Sequence, residues 1–126
     1  MPDENELSKI IVNCCYNIHS HLGPGLFEKV YEEILAYELV KLNLFIERQK
    51  DIPVIWDGLY MEQGFKADII VEKKVIIELK SVETLAPVHY KQILTYLKLT
   101  DYKLGLLINF NTALIKDGIH RLVNKL

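Results

Sequence analysis

The stretch Ala67-Asp68-Ile69-Ile70-Val71-Glu72-Lys73-Lys74-Val75-Ile76-Ile77-Glu78-Leu79-Lys80 decides the fold of this chain. Two apolar runs, Ile69-Ile70-Val71 and Val75-Ile76-Ile77, flank the polar Glu72-Lys73-Lys74, the pattern of two buried strands joined by a turn. Strand alternation puts Glu78 and Lys80 on one side of the second strand. A three-residue loop at 72–74 pairs Val71 with Val75 and sets Asp68 opposite Glu78. A two-residue turn would instead set Asp68 opposite Ile77, on the other face. With the longer loop, two carboxylates and an ammonium share one patch of sheet.

Upstream, residues 45–56 alternate at Ile52, Val54 and Trp56, and Asp57-Gly58 is a hairpin turn. Residues 59–71 then form the strand that carries Asp68, bent at Gly64, and Pro53 marks 45–56 as an edge strand. Nearer the N-terminus, Leu7, Ile10, Ile11, Cys14, Cys15, Ile18 and Leu22 recur at helical spacing, which predicts an amphipathic helix over 5–22. Gly23-Pro24-Gly25 stops it, and a second helix, with Phe27, Val30, Tyr31, Ile34, Leu35 and Leu39 on its apolar face, runs from Leu26 to near Asn43. Downstream, Pro87 opens a helix to about Leu99, and Gly105-Leu106-Leu107-Ile108 is a buried strand. The tail, 118–124, reads as either strand or helix. The order α-α-β-β-β-α-β, with one undecided element at the end, predicts an α/β fold: a mixed sheet with helices packed on it.

The length, 126 residues, fits one domain over 1–126, and the half-apolar composition with a net charge of −2 disfavours disorder. No apolar run approaches the roughly 20 residues that span a bilayer, and the acidic start Met1-Pro2-Asp3-Glu4-Asn5-Glu6 is unlike a signal peptide. A soluble, cytoplasmic protein with no membrane partner is expected. Cys14 and Cys15 are adjacent and read as buried, reduced thiols, with no CxxC pair for zinc. A pI near 6.1 gives no bulk basic signature, so contact with nucleic acid must come from a local patch, a bound metal or a partner.

Adjacent carboxylates repel, and burial penalises each charge further. A divalent cation reverses both effects, since Mg²⁺ prefers carboxylate oxygens and water. Lys80 beside such an ion could orient or deprotonate an attacking water and offset charge growing on phosphorus. The plainer alternative is a Glu78–Lys80 salt bridge, with Asp68 paired to another lysine. Acid-x-Lys also occurs at Glu72-Lys73-Lys74 and Asp101-Tyr102-Lys103, so the triplet decides nothing by itself.

Glu28 and Tyr31 lie at i and i+3 of the second helix and share a face, where Tyr31 suits either core packing or a polar role. Gln92 and Tyr96, at i and i+4, share a face of the third helix, and Tyr96 suits either the core or a site. His19 and His21 do not share a face and read as surface or helix-end residues, and no metal role is assigned to them, to His89 or to His120.

Asp68, ten residues before Glu78 and followed by Lys80, resembles the PD-(D/E)xK signature of the restriction-endonuclease-like nuclease superfamily, with Ala67 where the signature has Pro. A wider likeness covers nearly the whole chain. Gly25-Leu26-Phe27-Glu28-Lys29-Val30-Tyr31 resembles the GxxExxY proteins, which are classed with these nucleases. The His21–Leu26 loop, Glu78-Leu79-Lys80, Gln92-x-x-x-Tyr96, Gly105–Phe110 and Asp117-Gly118-Ile119 agree with that family in order and spacing.

The resemblance implies a restriction-endonuclease-like α-β-β-β-α-β core with an extra N-terminal helix. It implies a nuclease that hydrolyses phosphodiester bonds with Mg²⁺ or Mn²⁺, with DNA as the leading substrate and RNA left open, in repair, mobile-element biology or defence. Asp68, Glu78 and the Leu79 carbonyl would hold the metal, and Glu28 a second ion or its water. Lys80 would position the attacking water. Gln92 would hydrogen-bond Lys80, a carboxylate or a phosphate, and Tyr96 would support the same shell. Two other readings stay open: a binding or interaction module that keeps the fold without cleaving, and a subunit that works as a homodimer or beside a helicase.

Overall fold

Asp3 opens the first helix. Its carboxylate accepts the Glu6 N–H at 2.8 Å while Glu6 reaches back to the Asp3 N–H, a capping box at the start of α1 (Glu4–Leu22). The computed structural model describes residues 2–126. After α1, Gly23 takes a left-handed φ of +68°, as a glycine can without strain. The next helix, α2 (Glu28–Lys41), starts two residues later than predicted. The Leu26 N–H is taken by the Tyr31 hydroxyl at 3.2 Å, and Phe27 stays extended as the N-cap. It also ends sooner, at Lys41, because Asn43 adopts a φ of +62°.

Five strands follow: β1 (Ile46–Trp56), β2 (Leu59–Val71), β3 (Val75–Lys80), β4 (Leu104–Asn109) and β5 (Ile119–Val123). They lie in the order β1-β2-β3-β4-β5. Only β3 and β4 are parallel, joined by the crossover helix α3 (Pro87–Thr100). A 3₁₀ turn over Ile115–Gly118 leads into β5, so the undecided tail is a strand, antiparallel to β4. The predicted mixed sheet with flanking helices is therefore present. Pro53 lies on β1, an edge strand, as expected. Asp57 and Gly58, both at positive φ, close the β1–β2 hairpin between Trp56 and Leu59. At the tip of that hairpin, beyond an irregularity between Ile52 and Val54, the side chains of Ile55, Trp56, Leu59 and Tyr60 are exposed.

The turn at 72–74 is the longer of the two alternatives. Glu72 and Lys73 are left-handed, the Lys74 N–H returns to the Val71 carbonyl at 2.9 Å, and Val71 pairs with Val75. Alternation then sorts the buried residues into two layers. Ile69, Val71, Val75, Ile77 and Leu79 pack with Leu7, Ile11 and Cys15 of α1 and with Tyr31, Leu35 and Leu39 of α2. Ile70, Ile76 and Leu107 pack with Ile93 and Leu97 of α3. Cys15 is buried and Cys14 only half-buried, so the expectation that both are interior holds for one of them. His19 lies in the last turn of α1, the helix-end alternative, but is buried, its Nε2 donating to the Thr112 carbonyl at 2.9 Å. No helix among the described residues is long and apolar enough to cross a membrane.

Gly105 sets how closely α3 approaches the sheet. A Cβ at this position would lie 2.5 Å from the Cγ2 of Ile93, which is itself buried. Gly105→Ala is expected to cost about 1–3 kcal/mol by overpacking. Chemical denaturation should show a lowered midpoint with an unchanged slope.

Candidate active site

The site forms where β2 leaves β3. The register Val71–Val75, Ile70–Ile76, Ile69–Ile77 stops there, while β2 stays paired with β1 for its full length. At Asp68, side chains replace the ladder. The Leu79 N–H donates to Asp68 Oδ2 at 2.9 Å, and the Asp68 N–H points to Glu78 Oε1 at 3.4 Å. The Lys80 carbonyl accepts the Phe110 N–H at 3.0 Å on the β4 side. Leu79, one residue earlier, therefore presents both its N–H and its C=O towards β2. The two carboxylates thus meet, as the three-residue loop requires, in the mouth between two separating strands rather than on a flat patch.

Glu78 is 8 % exposed. Burial first, and then the negative charge of Asp68, push its carboxyl up to about 9, against smaller opposing pulls from the Asp68 backbone N–H and then from Lys80. Among the described residues no ion pair involves Asp68, Glu78 or Lys80, so the plainer alternative of a Glu78–Lys80 salt bridge is not what the structure contains. Lys80 is half-buried at the end of β3, opposite Asn109 of β4. Asn109, which the sequence reading missed, is buried and clamps the chain just after Lys80. Its Oδ1 accepts the Val82 N–H at 3.1 Å and its Nδ2 donates to the Val82 carbonyl at 2.9 Å. A polar residue ending an otherwise apolar strand was the available signal.

From α3, Tyr96 stacks on Phe65 with ring centroids 3.8 Å apart. Burial, then the charges of Glu78 and Asp68, raise its hydroxyl above the ordinary tyrosine value. Its ring stacks into the layer beneath α3, as the core reading of Tyr96 expects. Gln92 lies one turn earlier, is exposed, and makes no hydrogen bond to Lys80 or to either carboxylate. The expected protein contact of Gln92 is therefore absent, because Tyr96 and not Gln92 is the residue of that face packed against the strands.

Glu28 stands on the helix side of a cavity of about 430 Å³, with Lys29, Glu32 and Glu33; Arg48, Gln49 and Asp68 form the strand side. The loop before α2 holds Glu28 in place. The buried Tyr31 ring stacks on Phe110 at 4.3 Å while its hydroxyl donates to the Gly23 carbonyl at 2.6 Å, and Ser81 Oγ donates to the Leu26 carbonyl at 2.6 Å. Tyr31 is thus both core and polar tether. Glu28 itself is exposed and makes no hydrogen bond, so the three acids share a region without converging on one point.

A second group on the cavity wall escaped the sequence reading. Glu32, buried at 7 % exposure, accepts Arg48 Nε and Nη2 on one oxygen, at 3.1 and 2.9 Å, and Gln49 Nε2 on the other, at 2.7 Å. Gln49 Nε2 also donates to Asp68 Oδ1 at 3.3 Å. Glu32 stands one helical turn from Glu28, an i, i+4 acid pair that could have drawn attention.

The donor set suits a hard divalent ion. Two carboxylates, one of them pushed up by burial and by its neighbour's charge, lie beside a carbonyl-bearing strand edge. Among the described residues no cluster of three or more acidic, histidine or cysteine ligands is gathered around one point. Mg²⁺ commonly takes one or two protein carboxylates and fills its other positions with water and phosphate oxygens, so a two-acid site is adequate.

No curated protein and no solved structure matches this chain. The family model of the PD-(D/E)XK nuclease superfamily, in contrast, matches residues 5–122, a span that takes in Asp68, Glu78 and Lys80 and every helix but the first residue of α1. By that match, over the sheet and the two-acid mouth described above, the chain belongs to the PD-(D/E)XK nuclease superfamily.

Proposed function

We propose that this protein is a metal-dependent phosphodiesterase that cleaves DNA, of the GxxExxY kind, with Gly25, Glu28 and Tyr31 as its signature residues. The observation that carries this reading is the meeting of Asp68 and Glu78 where β2 parts from β3, beside Lys80, which among the described residues forms no salt bridge. Asp68, Glu78 and the Leu79 carbonyl would hold Mg²⁺ or Mn²⁺. A hard cation there supplies positive charge to a phosphodiester oxygen and makes its water more acidic. The rest falls to the chain. Glu78 would ligate as the carboxylate, its proton passing to solvent, since a carboxylate must be ionised to hold a metal. Asp68 is kept in one orientation by the Leu79 N–H. Lys80 directs its ammonium at the attacking water and at the charge that grows on the phosphoryl oxygens. Glu28 adds a carboxylate from the helix side of the cavity, Gln92 is exposed to meet a phosphate directly, and Tyr96 supports Glu78.

The test is a cleavage panel in Mg²⁺ and Mn²⁺ over single-stranded, duplex, flap and junction DNA and the matching RNAs. Lys80→Ala is expected to lower the rate about 10²-fold while leaving Mn²⁺ affinity near that of the unaltered protein. Equal rates for both proteins would remove Lys80 from the mechanism.

One observation favours a second reading, a binding or interaction module with the nuclease fold and no turnover. The cavity beside Asp68 carries four acids against Lys29 and Arg48, and the chain as a whole is slightly acidic, so nothing draws DNA from a distance. Site-dependent Mn²⁺ binding without cleavage of any substrate in the panel is the result this module predicts. Action as a homodimer or beside a helicase, in cytoplasmic repair, mobile-element or defence processes, would meet the same difficulty by borrowing a basic surface. Light scattering of the protein with and without DNA distinguishes a dimer.

A further inference from the structure

Gln49 is the one residue in the middle of a strand of this sheet whose backbone is left-handed, with φ +48°. Its neighbours Arg48 and Lys50 pair regularly with Ile69 and Ala67, so the kink is confined to the position facing Asp68. The buried layers change phase at the same place. Ile69 packs with α1 and α2, whereas Ala67, two residues away and expected on the same face, packs with α3. A side chain other than glycine is held in this conformation only when its surroundings demand it. Here the demand is visible: the kink brings the Gln49 amide between two carboxylates. Its two N–H bonds reach Glu32 Oε1 at 2.7 Å and Asp68 Oδ1 at 3.3 Å. Both partners are acceptors only, so the NH₂ group must face them and the amide orientation is fixed by chemistry. Glu32 is itself immobilised, its other oxygen holding the Arg48 guanidinium.

We propose that Gln49 is a positioning residue for Asp68: anchored through Glu32 to Arg48, its amide occupies one side of Asp68 Oδ1 and turns the remaining lone pairs of that carboxylate towards a divalent cation in the mouth between β2 and β3. Asp68 is then held at both oxygens, by Gln49 on one and by the Leu79 N–H on the other. Such outer partners commonly govern ligand orientation, and their loss typically costs about 10–100-fold in metal affinity. This inference rests on the reading of Asp68 as a metal ligand, and its test separates the two.

Mn²⁺ affinity is measured by calorimetry on the full chain, alongside melting in EDTA, for the unaltered protein, Gln49→Met, Gln49→Gly and Asp68→Asn. Met keeps the length without the donors; Gly keeps the left-handed backbone at no strain but has no side chain. Both Gln49 variants are expected to bind Mn²⁺ at least about 10-fold more weakly, with metal-free melting close to that of the unaltered protein. If Gln49→Met unfolds, Gln49→Gly decides alone. Unchanged affinity in a folded Gln49 variant, with affinity lost in Asp68→Asn, overturns the role of Gln49 and leaves the metal site standing. Affinity unchanged in Asp68→Asn overturns the metal site and this inference with it.

Discussion

Asp68→Asn is expected to abolish metal-dependent cleavage, by about 10³-fold or more, since charge stabilisation by a bound metal is worth several kcal/mol and each 1.4 kcal/mol or so is tenfold in rate. The change is isosteric, yet it fails twice. An amide brings one neutral acceptor where the metal needs an ionised carboxylate. It also cannot satisfy its surroundings, because Asp68 receives one donor on each oxygen, from Leu79 and from Gln49. Asn offers a single acceptor oxygen, so one of those donors would face the new NH₂ group. Single-turnover cleavage in Mg²⁺ and in Mn²⁺, with far-ultraviolet circular dichroism to verify folding, measures the effect. A folded Asp68→Asn protein cutting at the unaltered rate would end the case for catalysis at this site.

Glu78→Gln should move activity and stability in opposite directions. In the metal-free fold the Glu78 carboxyl is pushed up to about 9, by burial and then by Asp68, from an ordinary value of 4.5. A raised folded-state value means that the folded form keeps a proton that the unfolded chain releases. The stability this group contributes is therefore complete below pH 4.5 and drains away as pH climbs from there towards 9. Glutamine does not titrate, and its side-chain oxygen can still accept the Asp68 N–H. In EDTA at pH 8 the variant should be more stable by on the order of a few kcal/mol, and near pH 4 the two proteins should melt alike. Cleavage, meanwhile, should fall about as far as for Asp68→Asn. A variant no more stable than the parent at pH 8 would show that Glu78 is not strained by its surroundings.

The meeting of Asp68 and Glu78 was legible because it is carried by short-range pattern. Two apolar runs around Glu72-Lys73-Lys74 limited the register to two choices, and left-handed Glu72 and Lys73 select the one that brings Asp68 to Glu78. What escaped was the backbone conformation that partners distant in sequence impose. Nothing in Arg48-Gln49-Lys50 announces a left-handed residue, because Gln has no preference for that region and is drawn there by Glu32 and Asp68, 17 and 19 residues away in sequence. The late start of α2 has the same origin. Leu26 suits a helix, but its N–H finds the Tyr31 hydroxyl instead, so tertiary bonding overrides local preference. The separation of Glu28 from the acid pair could not be read either, since helical spacing gives a face and not a distance.

The hairpin tip has a practical spectroscopic corollary. Trp56 is the only indole of the chain, and it stands there 74 % exposed to water. Its emission should already be red-shifted in the native protein and should change little on denaturation, so a fluorescence melt would miss the loss of both buried layers. The same indole makes a sensitive probe of anything that covers the tip, because only contact there would shift its emission to the blue.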